Sequence, residues 1–238
     1  ILCVIPARYA STRLPGKPLA DIVGKPMIQH VYERSAQATI PQQVVVATDD
    51  EKVFQAVQQF GGKVVMTSSE HQTGTDRLAE VASKYAEVDV IINVQGDEPL
   101  IDPKVIDELA QEFLNDTALQ MASVMSIMDT EDYQNPNAVK VVTDLNNNAL
   151  YFSRSLLPYP RVAGKANVYK HIGIYAYKKD FLLKFAKLEP TPLEQSESLE
   201  QLRALENGYK IKMIKTKAKF IGVDSIEDLQ TVNELLRK

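Results

Sequence analysis

Short apolar runs rich in β-branched residues alternate, through the first half of the chain, with segments whose apolar positions recur at helical spacing. Ile1-Leu2-Cys3-Val4-Ile5 has the length of a buried strand. A helical pattern follows from near Pro26, with Met27, Ile28, Val31 and Tyr32 on one face. Val44-Val45-Val46-Ala47 predicts a second strand, Val53, Phe54, Val57 and Phe60 a helix, and Val64-Val65-Met66 a third strand. Leu78, Val81, Ala82 and Tyr85 form a helix face, Val90-Ile91-Ile92-Asn93-Val94 a strand, and Val105, Ile106, Leu109 and Phe113 another helix, with Pro103 in its first turn. Strands separated by helices of this length predict right-handed βαβ units. The fold class is α/β, a doubly wound, mostly parallel sheet.

From about Met121 the rhythm changes. Ala122 through Met128, Val139 through Val142, Ala149 through Phe152 and His171 through Tyr177 read as strands with few helices between them. Asn146-Asn147-Asn148 predicts a hairpin turn, because asparagine tolerates the left-handed conformation. This β-rich part, about residues 139–178, reads as an excursion from the sheet within one domain spanning 1–238. Leu157-Pro158-Tyr159-Pro160 and Glu189-Pro190-Thr191-Pro192 read as irregular links. Leu199, Leu202 and Leu205 mark a helix stopped by Gly208. A strand from about Tyr209 to Ile214, a short run at Phe220-Ile221 and a helix with Ile226, Leu229, Val232, Leu235 and Leu236 inward complete the pattern.

Composition narrows the function. With 238 residues, 45% apolar and 24% charged, the chain can bury a sizeable core, and its net charge of −4 offers no bulk attraction to nucleic acid or to an anionic membrane. The cations that matter must therefore be local. One cysteine and three histidines make neither an internal disulfide nor a zinc site and suit a reducing cytoplasm. No run approaches the ~18 apolar residues that a membrane span needs, and none resembles a signal peptide.

The loop after the first strand concentrates cations. Arg8, Arg13 and Lys17 recur at spacings of five and four among Pro6, Pro15, Gly16 and Pro18, residues that keep the loop irregular and let the three charges converge. In a parallel sheet such a loop lies outside the carboxyl ends of the strands, where ligands bind, so a polyphosphate is the expected guest. Basic residues beside prolines are also common in solvated loops. A second strand ends in Val94-Gln95-Gly96-Asp97-Glu98-Pro99, which places the Asp97 carboxylate on the ligand side, while Gly96 lets the backbone come close. Gly222-Val223-Asp224 repeats the pattern before the last helix. Two carboxylates suit one hard cation such as Mg²⁺, although an aspartate at such a position can equally cap a turn.

The run Pro6-Ala7-Arg8-Tyr9-Ala10-Ser11-Thr12-Arg13-Leu14-Pro15-Gly16-Lys17-Pro18 resembles, without a gap, the opening motif of the cytidylyltransferases that activate 3-deoxy-manno-octulosonate (KDO). The resemblance continues through Ala47-Thr48-Asp49-Asp50, His71 through Leu78, Gln95-Gly96-Asp97-Glu98-Pro99, Asn135 through Val142, Ala149 through Ser155, His171 through Tyr177, Glu197 through Arg203 and Gly222-Val223-Asp224. It covers essentially the whole chain and implies a Rossmann-like nucleotidyltransferase fold. It also implies CMP transfer from CTP to the anomeric hydroxyl of KDO, with Arg8, Lys17, Asp97 and Asp224 catalytic. By the same resemblance Asp97 and Asp224 hold Mg²⁺, while Pro6, Ala7, Arg8, Arg13, Lys17, Thr48, Gly74, Arg77 and Asp97 bind the nucleotide.

An acidic sugar needs a planar cation for its carboxylate and hydrogen-bonding groups for its ring hydroxyls. Arg154 and Arg77 can supply the first. The resemblance assigns Ser153, His171, Tyr175, Gln95, Glu200 and Gln201 to the second. Each has a plainer alternative: Tyr175 as strand packing, His171 as a strand start, Glu200 as a helix residue paired with Arg203. The connection from Ser155 through Lys170 is short for the family and resembles its capsule-associated branch more than its lipopolysaccharide branch. A homodimer is implied, and related acidic sugars, an 8-amino analogue of KDO or sialic acid, are the alternative acceptors. No two aspartates stand two positions apart as in the metal motif of many glycosyltransferases, and the ten glycines form neither a P-loop nor a dinucleotide fingerprint.

Overall fold

A computed structural model of the chain describes residues 1–10, 14–162 and 164–237. The first strand, β1 (Leu2–Pro6), shows why the sheet is covered on both sides. Leu2 and Val4 point into one apolar cluster, Cys3 and Ile5 into another, and all four are essentially inaccessible. After it come a two-strand ribbon, β2 (Asp21–Ile22) and β3 (Lys25–Pro26), and then α1 (Met27–Ser35). The alternation continues as β4 (Gln43–Thr48), α2 (Glu51–Gln59), β5 (Val64–Met66), α3 (Gly74–Lys84), β6 (Val90–Asn93) and α4 (Pro103–Asn115). Helices α1, α2 and α4 cover the Cys3 face, and α3 covers the Leu2 face.

The second half adds β7 (Met121–Ile127), β8 (Lys140–Thr143), β9 (Ala149–Ser153), β10 (Tyr169–Lys178), α5 (Lys179–Phe185), α6 (Pro192–Glu197), α7 (Gln201–Glu206), β11 (Lys212–Thr216) and α8 (Ile226–Arg237). The order across the sheet is β11-β7-β10-β6-β1-β4-β5. All neighbours on this path are parallel except β10, which runs antiparallel to both β6 and β7. The carboxyl ends of β1, β4 and β6 therefore share one edge, and the segments after Pro6, Thr48 and Asn93 emerge there side by side.

Several expectations need correction. Only β8 and β9 lie off the main path of the sheet. The strand around His171–Tyr177, expected in the excursion, runs through the middle of the sheet, because its alternate residues Ile172, Ile174 and Ala176 bury against the Cys3 side. The link through Glu189–Pro192 ends one residue early: Pro192 opens α6, where a proline costs no hydrogen bond, and the Thr191 amide is held by Glu194 at 3.0 Å. Helix α5 was not expected, since too few residues separate its strand from the next link to show a period. Phe220 and Ile221 lie in irregular chain, and β11 begins at Lys212 rather than Tyr209. In α8, Val232 is buried and Leu229 and Leu236 pack beside it, but Ile226 and Leu235 face outward, 56% and 44% exposed. That helix rests on a narrow cluster of Leu14, Ile22, Met27 and Val223, too small to cover a wide apolar face. The hairpin at Asn146–Asn148 forms as expected between β8 and β9, with Asn147 at φ 60°.

Phe152 is fully buried in β9 and stands edge-on to His171 with ring centroids 4.9 Å apart. Phe152→Ala should lower stability by about 3–5 kcal/mol through lost transfer energy and the cavity left behind. Urea unfolding of the two proteins measures the difference; a loss below about 1 kcal/mol would mean that this part of the core collapses to fill the gap.

Candidate active site

The backbone fixes the cleft before any side chain enters it. Ala7 extends the β1 ladder by donating to the Ala47 carbonyl at 2.8 Å, and Val94 donates to the Val4 carbonyl at 3.0 Å. The chain after β6 then passes so near β1 that a Cβ on Gly96 would sit 2.7 Å from the Pro6 carbonyl oxygen. No larger residue fits there. The Val223 amide donates to the Asp97 carbonyl at 2.9 Å, which stitches the segment before α8 to the same edge. Asp97 and Asp224, 127 residues apart in sequence, are brought together by that stitch.

Lys17 completes the arrangement. It opens a short 3-10 turn, Lys17–Leu19, entered through Gly16 at φ +69°, where the left-handed backbone and the Tyr9 ring against its face favour glycine. The Lys17 ammonium lies 2.6 Å from Asp97 Oδ2 and 2.8 Å from Asp224 Oδ1. Burial pulls its pKa down, but the Asp97 and Asp224 charges outweigh that and raise it, so the amine stays protonated. Pro6, Arg8, Lys17, Gly74, Gln95, Gly96, Asp97 and Asp224 line a cleft of about 420 Å³. Arg8 is exposed at its rim, its Nη1 3.5 Å from the Gln72 carbonyl. Gly74 is the first residue of α3, whose N-terminus therefore opens on the cleft and favours an anion there. Arg13 lies outside the described residues.

The other predicted residues divide into two groups. Arg77 and Thr48 are fully buried. The Arg77 guanidinium donates to Asp49 at 2.7 Å and to the Thr67 hydroxyl, so it braces α3 against β4 and does not reach the cleft. Around β9, β10 and α7 lie Ser153, Arg154, His171, Tyr175, Glu200 and Gln201. Ser153 donates to Glu197 at 2.6 Å. Arg154 donates to three backbone carbonyls, Glu197 at 2.7 Å, Pro136 at 3.0 Å and Ser198 at 3.3 Å. A guanidinium has five N–H donors, so this grip orients Arg154 and leaves two of them for an acidic guest. Burial pushes the His171 pKa down to about 3, and its ring lies 5.4 Å from that of Tyr175. Two contacts join this group to the cleft: Gln95 Nε2 donates to the Gly173 carbonyl at 2.9 Å, and Thr75, beside Gly74, donates to Glu200 at 2.6 Å. Gln201 Nε2 and Glu200 Oε1 are buried without a hydrogen-bond partner among the described residues, and Arg203 Nη2 lies 3.9 Å from Glu200 Oε1.

A family model described as cytidylyltransferase matches residues 2–213. A curated relative from Geobacter metallireducens, named 3-deoxy-manno-octulosonate cytidylyltransferase, is 54% identical over 250 residues, covering 100% of this chain and 98% of its own. The chain belongs to the 3-deoxy-manno-octulosonate cytidylyltransferase family. A Fusobacterium nucleatum relative of the same name is 50% identical over 238 residues. Among solved structures, a CMP:2-keto-3-deoxy-manno-octonic acid synthetase complexed with CTP superposes with a TM-score of 0.96 at 50% identity, covering 99% of this chain and 98% of the other. A cytidylyltransferase from Leptospira borgpetersenii, 20% identical with a TM-score of 0.68, shares the fold.

The acid that follows Asp97 was given no role from the sequence. Glu98, half-buried behind Asp97, has its Oε2 enclosed without a partner among the described residues. Burial, and then the Asp97 charge, raise its pKa from 4.5 to about 8. The available signal was a second acid directly after a strand-end Gly-Asp, where both cannot face solvent. The folded chain therefore holds a proton that the unfolded chain loses, so the stability tied to Glu98 is fully present below pH 4.5 and is lost as pH rises through about 8. Glu98→Gln should flatten the stability profile over that window in metal-free buffer. Urea midpoints at several pH values check this, and an unchanged slope would mean that Glu98 titrates normally.

Proposed function

We propose that this chain transfers CMP from CTP to the anomeric hydroxyl of KDO, releasing pyrophosphate. The observation that carries it is the Lys17 ammonium set between the strand-end carboxylates of Asp97 and Asp224 on the floor of the cleft, in a chain of this family. The sugar hydroxyl oxygen attacks the α-phosphorus as the bond to the β-phosphate oxygen breaks, and the hydroxyl proton passes to solvent. Such a step depends on positioning and on neutralising charge. Arg8, Lys17 and the N-terminus of α3 at Gly74 face the triphosphate, with Arg13 beside them in sequence. Pro6 and Ala7 supply the wall, and Thr48 and Arg77 support it from within.

Asp97 and Asp224 would hold Mg²⁺. They fit it, because both offer hard carboxylate oxygens and already flank one positive charge, the ammonium of Lys17. When bound, the ion neutralises charge at the α-phosphate. The Lys17 ammonium, which lines the same cleft, would hold a phosphate oxygen. The sugar carboxylate is assigned to Arg154, whose two remaining donors match it, and not to Arg77, whose guanidinium is enclosed. Gln95, Ser153, His171, Tyr175, Glu200 and Gln201 take the hydroxyls.

The product serves lipopolysaccharide or capsule biosynthesis, and the short Ser155–Lys170 connection resembles the capsule-associated branch. No helix among the described residues is long and apolar enough to cross a membrane, and CTP as donor points to the cytoplasm. Leu145 and Leu150, exposed on β8–β9 and its turn, support pairing into a homodimer.

Pyrophosphate release across the four nucleoside triphosphates, with KDO, its 8-amino analogue and sialic acid as acceptors, tests the assignment. Activity confined to CTP with KDO is expected, and preference for another acceptor would move the chain to that substrate. Asp97→Asn should lower kcat by a hundredfold or more, on the order of 3 kcal/mol, while the circular dichroism spectrum is unchanged. Near wild-type turnover of this variant in Mg²⁺ would remove Asp97 from the catalytic set.

Arg154→Lys keeps the charge but loses the planar fork. It should lower kcat/KM for KDO by about tenfold to a hundredfold and leave that for CTP nearly unchanged. Steady-state constants for both substrates decide the matter, and a loss confined to CTP would displace Arg154 from the sugar site.

A further inference from the structure

The β10 ladder shifts register between Ile172 and Tyr175, and the shift turns backbone carbonyls in two directions. On the cleft side the Gly173 carbonyl accepts from Gln95 Nε2 at 2.9 Å. On the β7 side the carbonyls of Ile174 and Ile172 converge on the hydroxyl of Ser123, at 2.9 and 3.2 Å. The same Ser123 Oγ lies 3.0 Å from Nε2 of His171. Ser123 is fully buried, so no water arbitrates among these contacts.

A hydroxyl has one proton, and a carbonyl oxygen can only accept. If the Ser123 proton pointed at Nε2, its oxygen would face two carbonyl oxygens with lone pairs alone. If the proton goes to the nearer Ile174 carbonyl, a lone pair on Oγ is left for a proton on the imidazole, and only the longer Ile172 contact lacks a proton of its own. We infer that Ser123 is a positioning residue of the sugar site, holding His171 in the tautomer protonated on Nε2 so that Nδ1 presents a bare lone pair to the substrate.

The surroundings agree. Burial holds the ring neutral, so only the choice of tautomer remains open. Phe152 stands edge-on to the ring and Tyr175 tilts against it, which restricts its rotation. Among the described residues no group hydrogen-bonds to Nδ1. A bare Nδ1 accepts a sugar O–H and repels a carboxylate, so His171 sorts a ring hydroxyl from the acid group assigned to Arg154. By pinning the shifted strand, Ser123 also aims the Gly173 carbonyl that orients Gln95. One hydroxyl thus sets two side chains.

The inference rests on KDO being the acceptor, and the test separates the two. In protein labelled with ¹⁵N in its three histidines, NMR distinguishes protonated from bare ring nitrogens, and His171→Gln identifies the relevant signals. The wild-type protein should show Nε2–H and a bare Nδ1 on His171; Nδ1–H would overturn the inference whether or not any variant folds. Ser123→Ala should give mixed tautomers and raise KM for KDO about tenfold, with KM for CTP within about twofold. Ser123→Thr, which keeps the hydroxyl, should restore both. A Ser123→Ala protein with the wild-type tautomer and an unchanged KM for KDO would overturn the positioning role. Wild-type protein that shows Nε2–H yet does not use KDO would support the tautomer and sink the acceptor instead.

Discussion

One ammonium between two carboxylates is the contact on which the site depends. Lys17 comes from the loop after β1, Asp97 from the end of β6 and Asp224 from the approach to α8, so a single charge ties together three segments that share no local structure. Without it, two carboxylates would face each other across a partly enclosed cleft, which is costly. The same geometry explains why a positive charge sits between the two carboxylates. Gly96 makes the contact possible, since only a residue without a Cβ lets the β6 segment pass the Pro6 carbonyl closely enough.

Behind this charge centre two arginines are committed to structure. Arg77 is bound to Asp49 and Thr67 in the core, and Arg203 is bound to Glu194 where α6 meets α7. Such buried charges add little net stability but are costly to break, so they hold α3 and α7 in place relative to the sheet. Arg154 differs in having only carbonyl partners, which orient it without neutralising it. The family site is therefore selective about where it leaves positive charge unpaired.

The antiparallel β10 is what sets the group around β9, β10 and α7 apart from the cleft at the ends of β1 and β6. Running against its neighbours, it delivers His171 and Tyr175 beside the carboxyl end of β6, and its register shift at Gly173 links Gln95 to that face. A strand parallel to β6 would have put those residues at the opposite edge. The contact between Thr75 and Glu200 closes the other flank from the start of α3.

Apart from the β2–β3 ribbon, the order of strands and helices through Phe113 was legible in the sequence because most elements there bury a full face, and burial writes a clean period of two or of about 3.6 residues. Asp97, Asp224 and Lys17 were legible as well, because glycine and proline around them announce loops at strand ends. Beyond Met121 the pattern weakened for a physical reason: β10 lies between strands on both sides and follows long loops, so nothing local distinguishes a central antiparallel strand from an outlying one. Helix α8 misled because periodicity states which residues could be inward, whereas the small area it rests on decides how many are. The sequence by itself determined which residue types sit at the ends of strands. Only the tertiary structure decided which charges meet, because the pairing of Lys17 with two aspartates, the capture of Arg77 by Asp49 and the enclosure of Glu98 depend on distances between segments remote in the chain.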